Sequence, residues 1–598
     1  AVTVFSFTEP PYITSANLTV GNGASGANFS LSNGTWENAG TITVGDSSQS
    51  TFYIGGDSRA ELINYGNVYI GRGKASYVFV ENGTLTNYGD IEVAGAENSS
   101  MSIQAGSFVD NRGQLTIGAF WNWGAMVYVS GSLQSGRISV GTSGKGNLEV
   151  QLGGHVVSDN AAIGDLLAGE GNATVYGQWT NHETLTVGES GVGRMTIAAG
   201  GVVQTGSAIV GLQGWGTVQV QGTWVVGSSL TVGDQDSGEL QVTNGAAVVV
   251  DGIVTFGKTG SGMGVFYLQE GGTLEAGQLV HGSGATTLSL SGGTLRANQN
   301  SSDYLAGFDP DTVLLQGKGL IFDTQDYDVT IQAPLSGTGG LQKLGSGTLT
   351  LSGDNHYSGT TVVEQGVLRI VSASAMGTGT FQVRENGVLC LAASVTPTSP
   401  IVMNEGGQLR KDVEGSLANS FNVVHERAGN VTGAKILAGQ TGSITLSLSF
   451  TNTSPALNDD KRTGSILWLA GMGASPYVLE LSYSGELFEE SELGWFDIGS
   501  GLWRTAVEGN SFNNATEPML HFAGSYESFR SLYGDDLSSY LGAYGYDLAN
   551  GVVWAVLDHG GQFAIIRQSA IPEPGSAVLW WAGLGAVVLA WRQRRSTA

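Results

Sequence analysis

Acid–base or metal chemistry needs carboxylates, a base or a ligand set at defined spacings, and this sequence offers few such groups. Asp309, Asp311, Asp323, Asp326 and Asp328 gather in one short stretch, with Lys318 the only base nearby. Two or three carboxylates on adjacent structural turns can act as acid and base in glycoside hydrolysis. Carboxylates that hold calcium beside a Lys or Arg base would instead suit a polysaccharide lyase. The five aspartates share no repeated register, so their spacing favours solvated turn residues, and a polysaccharide-degrading enzyme stands as the alternative class. The seven histidines are scattered without metal-ligand spacing. His155 and His182 fall at turn positions and read as surface residues. No Gly-x-Ser-x-Gly elbow pairs with a plausible His and Asp. The glycines of 141–146 imitate a phosphate loop, but no Lys-Ser/Thr opening a helix follows. Cys390, the single cysteine, forms no intrachain disulfide; within Val388-Leu389-Cys390-Leu391 it reads as a buried structural thiol. No catalytic residue, metal site or cofactor is expected.

The elements that carry these residues are legible from glycine. An apolar–Gly pair recurs at Gly21, Gly45, Gly71, Gly95, Gly118, Gly141, Gly164, Gly188, Gly211, Gly233 and Gly257, at intervals of 22 to 26 residues. A fixed period in the twenties signals a solenoid. A second marker, Gly-x-large apolar, appears as Gly34-Thr35-Trp36, Gly83-Thr84-Leu85, Gly106-Ser107-Phe108, Gly177-Gln178-Trp179 and Gly222-Thr223-Trp224, and breaks at Gly245 with Ala247. Between markers lie short alternating runs such as Leu148-Glu149-Val150, which are strands. Short strands with glycine corners describe coils of a parallel β-helix. Coils stack about 4.8 Å apart, so eleven make a length of about 50 Å. One coil cannot hide its apolar face alone. The predicted inward stack is Val20, Val44, Ile70, Ile117, Val140, Ile163, Val187, Val210 and Val232. Asn38, Asn64, Asn87 and Asn181 follow the second marker and predict a stacked turn ladder, since Asn tolerates left-handed backbone. Trp36, Trp179 and Trp224 share a position with Leu85, Leu133 and Val203, so they read as core rather than as a sugar platform; Trp121 and Trp123 fit no repeat position and are the better candidates for exposed aromatic contacts.

Composition agrees. Glycine supplies 94 of 598 residues and charged residues only 13%, as expected of an all-β repeat chain rich in tight turns. The net charge of −26, from 51 acidic against 25 basic residues, argues against nucleic acid, which needs Lys/Arg stripes. It suits an exported soluble protein. The chain opens on Ala1 rather than methionine, so a leader has been removed or the true start lies earlier.

The repeats of residues 18–300 resemble those shared by type V secretion passengers and PEP-CTERM proteins; Gly-Thr-Ser-Gly-Lys-Gly-Asn-Leu-Glu-Val, residues 141–150, is the cleanest copy. Residues 340–371, with Leu341-Gln342-Lys343-Leu344-Gly345-Ser346-Gly347-Thr348-Leu349-Thr350-Leu351 followed by Tyr357-Ser358-Gly359-Thr360-Thr361-Val362, resemble the autotransporter-associated β-strand repeat, which implies further coils. The register fails near Pro397. Beyond it lie the strand-like runs Ile466–Leu469, Val478–Leu481, Val552–Val556 and Phe563–Ile566, helical stretches near Tyr526–Leu532 and Leu537–Leu541, and Asn458-Asp459-Asp460-Lys461-Arg462 as a solvated turn. The expected fold is all-β: a parallel β-helix solenoid, then a smaller β-sandwich-like domain, then one hydrophobic helix. Its parts are residues 1–300, 301–396, 397–570 and 571–598.

The last part carries the most specific signal. Pro572-Glu573-Pro574 precedes an apolar run from Ala577 to Trp591, then Arg592, Arg594 and Arg595. A helix over that run would rise about 22 Å, a short membrane span. Basic residues after the span favour the cytoplasmic side, leaving the rest of the chain outside the inner membrane. The tail resembles the PEP-CTERM sorting signal of Gram-negative bacteria. That resemblance implies export, Pro572, Glu573 and Pro574 as recognition residues for an exosortase-type processing enzyme, a transient anchor in the inner membrane, and association with extracellular polysaccharide. The expected function is that of a surface or matrix protein, structural or adhesin-like and without enzymatic activity.

Overall fold

The computed structural model describes residues 4–6, 12–14, 17–21, 23, 26–94, 98–120, 124–243, 245–454, 456–511 and 520–567. Strand accounts for 58% of the structure and helix for 3%, so the fold is all-β. The chain forms two compact units, 1–361 with 374–379, and 362–373 with the residues from 380 onward.

The first unit is a parallel β-helix with three ladders, and in several coils one continuous strand, such as Phe108–Ile117, serves two of them. Along the first ladder the register aligns Val20, Val44, Ile70, Val93, Ile117, Val140, Ile163, Val187, Val210, Val232 and Phe256 in one column. All nine residues of the predicted stack lie in it, none more than 4% exposed. Each such side chain contributes about 1.5–3 kcal/mol when fully buried, and only the coils above and below can bury it.

The residue after each column member except Val93 is the marker glycine. Gly141 shows why: its φ is +71°, and a Cβ there would stand 2.3 Å from the carbonyl carbon of Glu170 on the next coil. Backbone handedness and coil contact both exclude a side chain. One predicted marker shifts. Ala94 donates its N–H to Ile70 O at 2.8 Å as Gly71 does to Val44 O, so Ala94 occupies that corner, and Gly95 lies outside the described residues.

The second marker also shifts by one residue in places. Val109 pairs with Leu85 and Leu133 in the third ladder, while Phe108 points outward and is 37% exposed. Gly106 belongs to a preceding turn with φ +82°, and Ser107 takes the place Gly83 holds in the previous coil. Likewise Val248, not Ala247, aligns with Trp224. The column also buries Trp36, Trp179 and Trp224 at 5%, 0% and 0% exposure, so the core reading of these tryptophans holds.

The asparagines do stack, by a different mechanism from the one expected. Asn38 Nδ2 donates to Asn64 Oδ1 at 2.7 Å, Asn64 to Asn87 at 2.7 Å, and Asn87 to Asn111 at 2.8 Å. Asn111 then donates to Ser135 Oγ at 3.0 Å, and further on Ser158 Oγ donates to Asn181 at 2.9 Å. These residues sit in strands, fully buried. Each of the first four also caps the carbonyl two residues ahead, as Asn64 does for Gly66. The ladder is thus a buried amide column, and left-handed backbone plays no part.

In the second unit the parallel pairing of Phe381–Leu391, Ile401–Met403, Gln408–Ser416 and Asn422–Arg427 gives way to antiparallel strands. The long strand Asn430–Thr451 serves two sheets. Its first part pairs with Asn422–Arg427 and Tyr477–Tyr483, which continues to Val552–Leu557. Its second part pairs with Gln408–Ser416 and Arg462–Ala470, which continues to Gly561–Arg567 and Ser491–Asp497. This is the sandwich-like arrangement, and all four predicted strand runs lie within it. Tyr526–Tyr533 forms the expected helix, capped by Ser525 and docked through Tyr526 and Phe529 on Trp554. Leu537–Leu541 is not helical but a turn, closed by Ser539 N–H to Asp536 O at 3.1 Å and Tyr540 N–H to Leu537 O at 3.2 Å. The segment at 458–462 is not a loose solvated turn either. It holds a 3₁₀ helix, Asp459–Lys461, and the Arg462 side chain, 6% exposed, bonds Asp459 at 2.7 Å and Asn452 O at 3.2 Å.

Candidate functional site

Two members of the acidic stretch are engaged by groups outside it. Asp323 accepts from Arg296 Nε at 2.9 Å and from Gln325 N at 2.9 Å; Asp328 accepts from Thr348 N at 3.1 Å. Asp309, Asp311 and Asp326 are exposed. Asp309 has only His281 Nδ1 nearby, at 3.9 Å. Lys318 reaches away from all five to Glu270, at 2.5 Å. Asp323, Asp326 and Asp328 lie on one coil, at and between the strands Leu320–Asp323 and Val329–Ile331, and Asp323 and Asp328 have separate partners. Among the described residues no group of three or more His, Cys, Asp or Glu side chains is placed to hold a metal.

His155 and His182 are exposed, His182 lying 3.3 Å from Asp159. His281 is enclosed, with Nδ1 2.9 Å from Gly307 O and Nε2 2.7 Å from Gly284 O. His425 is 4% exposed against Phe450, and burial holds its ring below the usual imidazole range. Cys390 departs from expectation. Strand alternation turns Leu389 and Leu391 inward and Cys390 outward to a half-buried site. Partial burial still pushes its thiol up, opposed by Arg410 and Arg369, so it has no reactive-thiolate character.

Two buried lysines escaped the sequence reading. Lys343 is 0% exposed, pairs in register with Phe322, and donates to the carbonyls of Leu344 and Gly345, both at 2.8 Å. Burial pulls its ammonium down to about 8, against the attraction of Asp323. Lys411, 2% exposed, donates to the carbonyls of Ala392 and Ala393 at 2.6 and 3.0 Å. The signal was present: in Leu341-Gln342-Lys343 the period of two places Lys343 on the inner face.

The outward faces of the coils carry charged and aromatic pairs that link neighbouring coils. Arg137 bridges two later coils, reaching Asp165 at 3.2 Å and Glu189 at 3.0 Å. Burial raises Glu189, Arg137 offsets this, and Asp165 adds to it. Arg72 lies over the Tyr69 ring and forms a two-toothed pair with Glu92 at 3.1 and 2.9 Å. Tyr65 and Tyr88, each about half exposed, stack at 5.2 Å with 14° between planes. Rings stacked this way along the coil axis present edges rather than faces to solvent. Tyr53 and Phe79 repeat the motif at 5.1 Å. Trp121 and Trp123 lie outside the described residues, as do the sorting-signal residues Pro572, Glu573, Pro574, Arg592, Arg594 and Arg595. Among the described residues no helix is long and apolar enough to cross a membrane.

Residues 341–370 match the passenger-associated-transport-repeat, and residues 570–595 match the PEP-CTERM protein-sorting motif. The chain is 30% identical over 182 residues to the adhesin BmaC autotransporter of Brucella suis biovar 1 (strain 1330), a match covering 29% of this chain and 5% of that adhesin. No solved structure matches. The chain therefore carries a sorting motif and a passenger-type repeat, and part of it resembles part of an adhesin.

Proposed function

We propose that this chain is an exported surface or matrix protein of adhesin type. Its β-helix would present contact surfaces, and its tail would be read by an exosortase-type enzyme. The observation that carries this reading is the pairing, in one chain, of a PEP-CTERM sorting motif at 570–595 with a passenger-type repeat at 341–370 built into a parallel solenoid. The partial likeness to an adhesin points the same way. Absence of enzymatic activity belongs to the proposal. It is supported by the separate ion-pair and hydrogen-bond partners of Asp323 and Asp328 and by the repeat families being structural ones. Extracellular polysaccharide is the proposed partner, and a transient inner-membrane anchor through 577–591 the proposed route. Truncation after Ala570 tests the sorting half: fractionation should show the chain lost from the envelope. Unchanged retention ends that half of the proposal. A sugar-release assay on polysaccharides tests the other half, and release abolished by Asp323→Asn would make the chain an enzyme.

A further inference from the structure

In the first unit the strands Met263–Gln269, Ala285–Ser291 and Val313–Leu315 lie side by side on successive coils, in parallel register. Phe266, Leu288 and Val313 align inward, fully buried. The alternate residues face outward. They are long on the first coil, Tyr267 and Gln269, and short on the second, Ser289 and Ser291. Gln316 follows on the third. The difference in length opens a groove of about 510 Å³. One end is closed by the Glu270–Lys318 ion pair, which spans two coil steps. Gly292 lies beneath that pair: a Cβ there would stand 3.2 Å from Lys318 Cβ and 3.3 Å from Glu270 Cβ, and φ is +83°. Ser289 Oγ donates to Gln316 Oε1 at 3.0 Å across the groove.

The lining fixes the kind of ligand. Three coils span about 10 Å, two steps of about 4.8 Å, which leaves room for more than one sugar ring across the strands. Amides and hydroxyls supply donors and acceptors in the neutral form, and Tyr267 gives an aromatic flank for C–H surfaces. The only charges cancel within their own pair. An anionic ligand would meet a Lys318 already engaged and a chain of net charge −26. A cation would find one carboxylate, also engaged, and an apolar segment would find no aliphatic side chain among the lining residues. We propose that this groove binds a neutral hexose segment of a polysaccharide, Tyr267 packing on the ring and Gln269, Ser289 and Gln316 bonding its hydroxyls. The site rests on the polysaccharide-partner reading above and assigns it to particular residues.

The test uses the full chain and the variants Tyr267→Ala and Gln316→Ala, titrated calorimetrically with neutral gluco-, galacto- and manno-hexaoses and with a hexauronate. The expected result is binding of at least one neutral hexaose, weakened tenfold or more in each variant, with thermal unfolding unchanged. Binding untouched by both variants overturns the groove while leaving a polysaccharide partner standing. Preference for the hexauronate overturns the neutral assignment, and no binding of any probe overturns the site. Envelope retention of the same variants separates these outcomes from failure of the surface-protein reading, because the groove variants should sort normally.

Discussion

At the residue scale, the buried polar groups are the most exposed to test. Asn87 both accepts from Asn64 and donates to Asn111. An unsatisfied buried polar group costs about 1–3 kcal/mol, so Asn87→Ala should destabilise by about 2–4 kcal/mol. Urea unfolding checks this, and an unchanged midpoint would mean the amides find other partners. Lys343 gives a pH signature. Its ammonium is pulled down to about 8 from the ordinary 10.5. Between those values the unfolded chain holds a proton that the folded chain has released, so stability rises with pH across that window and is flat, at its lower level, below 8. Urea midpoints measured from pH 7.5 to 10.5 should show the rise, and Lys343→Met should flatten it.

At the scale of the coil, the corner glycines separate two costs. Gly153 has φ +81° with nothing within 4 Å of a Cβ, whereas Gly141 combines φ +71° with a 2.3 Å approach to the next coil. Gly153→Ala should therefore cost only the left-handed penalty, about 1–2 kcal/mol. Gly141→Ala should cost clearly more, because a backbone neighbour cannot swing aside as a side chain can. Comparing the two denaturation midpoints decides it; equal losses would show that coil spacing adjusts freely. In a solenoid each coil contacts its neighbours, so the damage should be local, visible as new protease cleavage near residues 141–171.

At the scale of the whole molecule, charge dominates. The net charge of −26 keeps copies apart at neutral pH, and the isoelectric point near 4.5 is where that repulsion vanishes. Light scattering across pH 3.5 to 7 should show a solubility minimum near pH 4.5; a flat profile would mean that the polar coil faces alone keep the protein dispersed. The same acidity is why a neutral glycan suits the Tyr267 groove better than an acidic one.

Much of this was determined by the sequence alone. A period in the twenties, Val-Gly corners and inward apolar residues specify a parallel β-helix, because glycine is needed wherever a coil turns left-handed beneath its neighbour. The sorting motif and the passenger-type repeat were legible because each is a contiguous string, and contiguous strings need no fold to be read. Tertiary structure alone decided register and company. A one-residue difference in turn length put Val109 rather than Phe108 in the core, and Ala94 stands at a corner where the other coils have glycine. Coil stacking turned the asparagines, some two dozen residues apart in sequence, into one buried column. It also gave Asp323 to Arg296 and Lys318 to Glu270 rather than to an active site. Pairing across coils depends on how many residues each corner consumes, and that count is settled only when neighbouring coils meet.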